Sequence, residues 1–119
     1  MKHSLYHYRA HVVEVYDGDT CTVDIDLGLY TWLKTQKVRL YRINAPEMRG
    51  AEKEAGTKAR DFLRSLILGQ VVIMETIKDN TEKYGRYLGE LWLEREGQWV
   101  NVNDAMVQNG FAVYKNYGE

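Results

Sequence analysis

Cysteine and proline are nearly missing from this chain of 119 residues, which has one of each. A lone Cys21 cannot close an internal disulfide or support a disulfide-linked partner. It fits a reducing compartment, and its place in an alternating segment reads as core filling rather than as a nucleophile. Long apolar runs are missing too. None approaches the ~20 residues needed to cross a bilayer, so no membrane partner is expected. The opening Met1-Lys2-His3-Ser4-Leu5-Tyr6 lacks the apolar stretch of a secretory signal, so the chain as given is expected to stay in the cytoplasm unless a leader was removed. Repeats and low-complexity tracts are absent as well. Hydrophobic residues make up 45% and charged residues 28%. That composition and length predict one ordinary soluble domain, residues 1–119, able to bury its own core and expected to be a monomer.

Net charge is also scarce, at −1. A strong overall field for capturing a polyanion is therefore excluded, and the distribution of charge has to carry any such argument. Residues 11–33 hold Glu14, Asp17, Asp19, Asp24 and Asp26 with no Lys or Arg, whereas residues 37–64 hold eight bases against four acids. An acidic segment followed by a basic one suits a site where carboxylates hold a cation beside arginines that hold phosphate, although such blocks also form plain solvated faces.

The segment that gives this pattern chemical content is Val38-Arg39-Leu40-Tyr41-Arg42-Ile43-Asn44-Ala45-Pro46-Glu47. A β-branched, apolar run carrying two arginines breaks at an Asn-Ala-Pro-Glu corner, so a strand is expected to present guanidinium groups beside a loop carboxylate. The planar fork of arginine matches phosphate oxygens two at a time. A glutamate beside it takes a proton, binds a metal or repels the substrate.

Residues 6–16 alternate, with Tyr6, Tyr8, Ala10 and Val12 on one side and His7, Arg9 and His11 on the other, and predict a first strand. His3, His7 and His11 are four apart, which in a strand steps them along an exposed face rather than around a metal. Asp17-Gly18 supplies a turn and residues 20–28 a second strand. Residues 29–36, with Trp32, read as a connection, and residues 37–44 as the third strand. From about residue 51 to 68, Ala55, Ala59, Phe62, Leu63, Leu66 and Ile67 recur at three and four, predicting an amphipathic helix ended by Gly69. Strands over 70–77 and 85–94, separated by a charged loop at 78–84, come next. A turn at Glu96-Gly97, a short strand at 98–100 and a short helix over about 103–109 complete the pattern, after which Phe111, Val113 and Tyr114 are expected to pack back. Three meander strands, a long helix, two more strands and a short C-terminal helix make a mainly β, α+β chain in the order of an OB-fold, a five-stranded, partly open barrel.

Three stretches in order, Tyr16-Asp17-Gly18-Asp19-Thr20, the arginine segment, and Glu82-Lys83-Tyr84-Gly85-Arg86, together resemble the staphylococcal (thermonuclease) nuclease family over roughly residues 8–114. The resemblance implies the OB-fold and a calcium-dependent nuclease acting on DNA, RNA or both. It implies that Asp19, Asn44 and the backbone carbonyl of Ala45 hold the cation, that Glu47 is the general base, and that Arg39 and Arg86 grip the phosphodiester. Lys83, Tyr84 and Tyr114 are the expected nucleotide contacts. Asn44 is a departure, standing where the family has a second metal-binding aspartate. A neutral amide oxygen still suits a hard cation but adds no charge, so weak calcium affinity and weakened activity are expected. The competing reading is an inactive OB module that binds single-stranded nucleic acid by stacking bases on Tyr84, Tyr87, Tyr114 or Tyr117. Retention of Asp19, Glu47, Arg39 and Arg86 favours the enzyme, because stacking needs no glutamate beside phosphate.

Overall fold

The computed structural model describes residues 6–81 and 85–115, with the side chains of 78–81 left aside. Strands β1 (His7–Asp17), β2 (Thr20–Gly28) and β3 (Thr31–Leu40) form an antiparallel meander. A two-residue strand β4 (Ile43–Asn44), a 3₁₀ turn (Gly50–Glu52) and helix α1 (Lys53–Ile67) come next. They lead into β5 (Val71–Thr81), β6 (Tyr87–Arg95), β7 (Gln98–Asn101), helix α2 (Val102–Gln108) and β8 (Val113–Tyr114). The main sheet runs β3-β2-β1-β5-β6-β7. It closes on itself where β3, at one end, pairs in parallel with β6, Val38 with Tyr87 and Leu40 with Gly89. This pairing closes the five-stranded barrel of an OB-fold that the sequence pattern left partly open, and β7 remains as a hairpin extension of β6.

Alternation places Ala10, Val12, Val15, Val23, Val38, Leu40, Val72, Met74 and Leu91 inside, all essentially without solvent contact. Helix α1 adds Gly56, Ala59, Leu63 and Ile67 from one face, at the three- and four-residue spacing that makes a helix amphipathic. It ends as the glycine signal requires. Leu68 is extended, Gly69 turns at φ 78°, and the Gly69 N–H reaches back to the Val12 carbonyl at 3.0 Å. Helix α2 starts one residue before the expected position because Asn101 caps it, its side-chain oxygen accepting from the Asp104 N–H at 2.8 Å. Inside α2, Asn103 is fully buried. Its amide donates to the carbonyls of Tyr41 and Gly89 while its oxygen accepts from the Leu91 N–H, stitching the end of β3 to β6.

Several boundaries differ from those expected. Residues 29–36 are not a connection. The chain turns at Leu29 and Tyr30, both at positive φ (55° and 61°), and β3 begins at Thr31. The tip is that of a tight hairpin, but Leu and Tyr occupy positions where Asn-Gly would have announced it. Nor does the arginine strand continue to Asn44. It stops at Leu40, Arg42 sits at φ 70°, and Ile43–Asn44 pairs separately with Val113–Tyr114. Strand β5 runs on to Thr81, so most of the expected charged loop at 78–84 is strand and the rest lies outside the described residues. Phe111 packs back as expected, stacked on Phe62 at 4.6 Å between ring centroids, whereas Val113 and Tyr114 stay exposed.

Candidate functional site

The site begins at the turn between β1 and β2. The Asp17 carboxylate accepts from the Asp19 N–H at 3.0 Å, an Asx-type turn that curls Asp17 over its neighbour. Gly18 makes this turn possible by its lack of a side chain, since a Cβ there would lie 2.7 Å from the Cβ atoms of both Ala45 and Ala59. Asp19, 8% exposed, then points inward. Its Oδ2 accepts from the Ala45 N–H at 2.8 Å and lies 3.3 Å from Nη2 of Arg39, while Oδ1 accepts from the Thr20 hydroxyl at 3.3 Å. Burial is the main influence on this carboxyl and pushes its pKa up to about 6. Arg39 and the Ala45 N–H oppose the shift, and Asp17 reinforces it.

Arg39, also 8% exposed, is held as a rigid fork. Nη1 donates to the carbonyls of Leu40 (2.9 Å) and Ile43 (3.0 Å), and Nη2 donates to Oδ1 of Asn44 (3.2 Å). One guanidinium nitrogen thus lies between Asp19 and Asn44, and Ala45 is bonded to Asp19 through its backbone. Arg86 joins from the other direction, its Nη1 donating to the Thr20 hydroxyl at 3.2 Å. Thr20 therefore links Arg86 to Asp19. The structure brings together Asp19, Arg39, Asn44, Ala45 and Arg86, which are scattered over 68 positions of sequence.

Glu47 stands on the same corner but faces water. Its carboxylate is well exposed and lies 3.7 Å from Nε of Arg49. The backbone beneath it is fastened, because the Glu47 N–H donates to Glu52 at 3.3 Å and the Glu47 carbonyl packs directly on Gly56 of α1. A Cβ at Gly56 would come within 2.1 Å of that carbonyl oxygen and 2.9 Å of the Pro46 oxygen. Helix α1 thus backs both loops of the site through Gly18, Gly56 and Ala59.

Arg42, expected beside Arg39, belongs elsewhere. It forms a bidentate pair with Glu90 and a further bond to Asp104 at 3.0 Å, contacts that keep it firmly charged. Tyr114 joins this cluster. Its hydroxyl donates to Asp104 at 2.9 Å, which raises its pKa, and its ring lies 5.7 Å from the Arg42 guanidinium carbon. Lys83, Tyr84 and Tyr117 lie outside the described residues, as does His3. Cys21 is buried with its thiol pushed up to about 12, as core filling requires. Among the described residues no three His, Cys, Asp or Glu side chains converge as a metal-binding group, and no helix is long and apolar enough to cross a membrane. Sequence reasoning missed Asp17, Thr20, Gly18 and Gly56. The Asp-Gly-Asp-Thr string held three of them, but only the fold shows what Gly56 touches.

Comparison with known proteins identifies the family. The model of the family "Staphylococcal nuclease homologue" matches residues 37–119, and the chain belongs to that family. It is 36% identical over 116 residues to Protein ParB of Escherichia coli, covering 92% of this chain and 59% of that protein. It is 32% identical over 109 residues to the Thermonuclease of Staphylococcus hyicus, covering 89% and 59% respectively. The chain therefore spans about three fifths of the length of these curated relatives.

Proposed function

We propose that the chain is a nuclease that hydrolyses phosphodiester bonds of DNA or RNA with little regard to sequence. The observation that carries this reading is the bonded chain Arg86–Thr20–Asp19–Arg39–Asn44, which holds two guanidiniums and a carboxylate in one place. Attack by water on a phosphodiester builds negative charge on the phosphoryl oxygens, and preset cationic donors stabilise that charge at no cost in reorganisation. Arg86 is such a donor, and Arg39, whose Nη atoms are bonded to Leu40, Ile43 and Asn44, adds its positive charge beside it. Glu47, exposed on a fastened loop, is the general base that takes the proton of the attacking water. No residue of the set addresses a base edge, which is why little sequence preference is expected.

The oxygen donors here fit a hard divalent cation such as calcium. Asp19, Asn44 and the Ala45 carbonyl would hold it, and once bound it would supply positive charge against the phosphate. The geometry supports that fit, since Oδ2 of Asp19 and Oδ1 of Asn44 both lie within 3.3 Å of one nitrogen of Arg39 and so converge on one point. With only one charged ligand the affinity is placed near the weak end, roughly 10⁻⁴–10⁻³ M or poorer.

Cleavage of plasmid and single-stranded substrates with calcium titrated from micromolar to tens of millimolar tests the proposal. Glu47→Gln is expected to lower cleavage by ~10²–10⁴ while leaving nucleic-acid binding intact. Equal cleavage by both proteins removes Glu47 from the mechanism. Binding without cleavage at every calcium concentration supports the second reading, a binding module, which the amide at Asn44 favours.

A further inference from the structure

The Asp19–Arg39 pair separates two hollows. One, of about 180 Å³, is bordered by Asn44, Ala45, Pro46, Glu52 and the segment from Gly110 to Val113. The other, of about 280 Å³, is lined by Tyr16, Thr20, Thr22, Lys37 and Arg86. Ala45 walls the first, Thr20 walls the second, and Asp19 is bonded to both residues. The two hollows thus adjoin the same carboxylate, one through Ala45 and the other through Thr20.

The second hollow is suited to a nucleotide. It combines two cations, two hydroxyls and an aromatic ring, the set that takes a phosphate and a stacked base. Lys37 is exposed on β3 directly across from Thr22 on β2. Tyr16 is 70% exposed, so its ring is open to a ligand. Its position is imposed by the backbone. Pairing passes from Val15–Cys21 to Asp17–Thr20, leaving Tyr16 as the extra residue of a β-bulge, the device that re-aims a side chain beside a site. Although residues 11–33 are acidic, none of their carboxylates is among the described residues that line the hollow. Asp17 is turned onto the Asp19 N–H, Glu14 lies beside Arg64, and Asp24 pairs with Lys34.

We infer that this hollow is a subsite for the nucleotide adjoining the scissile phosphate, its base stacked on Tyr16 and its outer phosphate paired with Lys37. The inference rests on the nuclease reading and deepens it. A strand held on both sides of the phosphate is cut at internal bonds.

The test compares the Tyr16→Ala/Lys37→Ala double variant with wild type on two probes. One is a short oligothymidylate, and the other is bis(p-nitrophenyl) phosphate, which has no nucleotide on either side. The ratio of kcat/KM values, oligonucleotide over small ester, is expected to fall by roughly 5- to 100-fold, the range of one lost stacking contact. The salt dependence of oligonucleotide affinity should become shallower by about one phosphate contact. Tyr16→Phe with Lys37→Arg should restore both. An unchanged ratio overturns the subsite. If wild type cleaves neither probe, the nuclease reading fails and the subsite is judged by fluorescence anisotropy with the same oligonucleotide. Weaker binding and a shallower salt slope in the double variant then support it, and equal binding overturns it.

Discussion

Replacing Asp19 by asparagine should stabilise the metal-free protein while abolishing its function. The native carboxyl has its pKa raised from 3.8 to about 6, mainly by burial. A folded-state value above the unfolded one means that the unfolded chain ionises more readily, so this group costs stability as pH rises through about 4 to 6. The shift corresponds to a penalty on the order of 3 kcal/mol at neutral pH and above. The influence of Arg39 is already contained in the shift, so an isosteric amide, which never ionises, removes the penalty. Its oxygen can still accept from the Ala45 N–H, the shortest bond of the native carboxylate. For a domain of this size the gain is roughly 10 °C in Tm. Chemical denaturation with chelator present should therefore show the two proteins nearly alike at about pH 4 and separated at about pH 8. Millimolar calcium should narrow the gap by stabilising wild type alone, because binding to the folded state adds RT ln(1 + [L]/Kd). A variant less stable than wild type at about pH 8, or a gap independent of pH, would refute burial as the dominant influence on Asp19.

The remaining predictions concern the same site. Gly56→Ala should lower stability by about 1–3 kcal/mol by calorimetry and cut kcat by at least ~10-fold, because the added Cβ pushes on the backbone of Pro46 and Glu47. A fully active, equally stable variant would show that the corner moves freely. Arg86→Lys should lose most of the cleavage activity although charge is kept, since an ammonium cannot hold two oxygens at fixed angles. Equal kcat/KM in the variant would reduce Arg86 to background charge. Asn44→Asp should move half-maximal activity to lower calcium by adding a charged ligand. An unchanged calcium midpoint would place the ion elsewhere.

The parts of the fold that were legible in the sequence are those written in short-range patterns. The face of α1 and its stop at Gly69 follow from spacing and one glycine, and the dipeptide Asp17-Gly18 marks a turn that the structure places one residue later, at Gly18 and Asp19. Residues 29–36 were misread because Leu29, Tyr30, Trp32 and Leu33 are all substantially exposed. With neither face of that hairpin buried there, no alternation of polarity marks a strand. Arg42 looked like a partner of Arg39 because strand periodicity was carried past Leu40. Its positive φ and its distant partners Glu90 and Asp104 leave no local trace. Within the site, residue types were readable and supports were not. Asp19, Arg39 and Arg86 stand out by chemistry, whereas Gly56 matters only through a loop nine residues away.

The parallel pairing of β3 with β6 has a consequence for a chain made from its N-terminus on a ribosome. The meander can form early, since β1, β2 and β3 are consecutive and joined by tight turns. The strand of Arg39, however, finds its second neighbour only when Tyr87–Gly89 has emerged. Asn103, which ties that seam at Tyr41, Gly89 and Leu91, arrives later still. Distant pairings of this kind are the slow part of folding. Arg86 lies just ahead of β6, so the two guanidiniums meet only after β5 and the start of β6 are out. A nascent chain stalled in α1 would carry Asp19, Arg39 and Glu47 without Arg86.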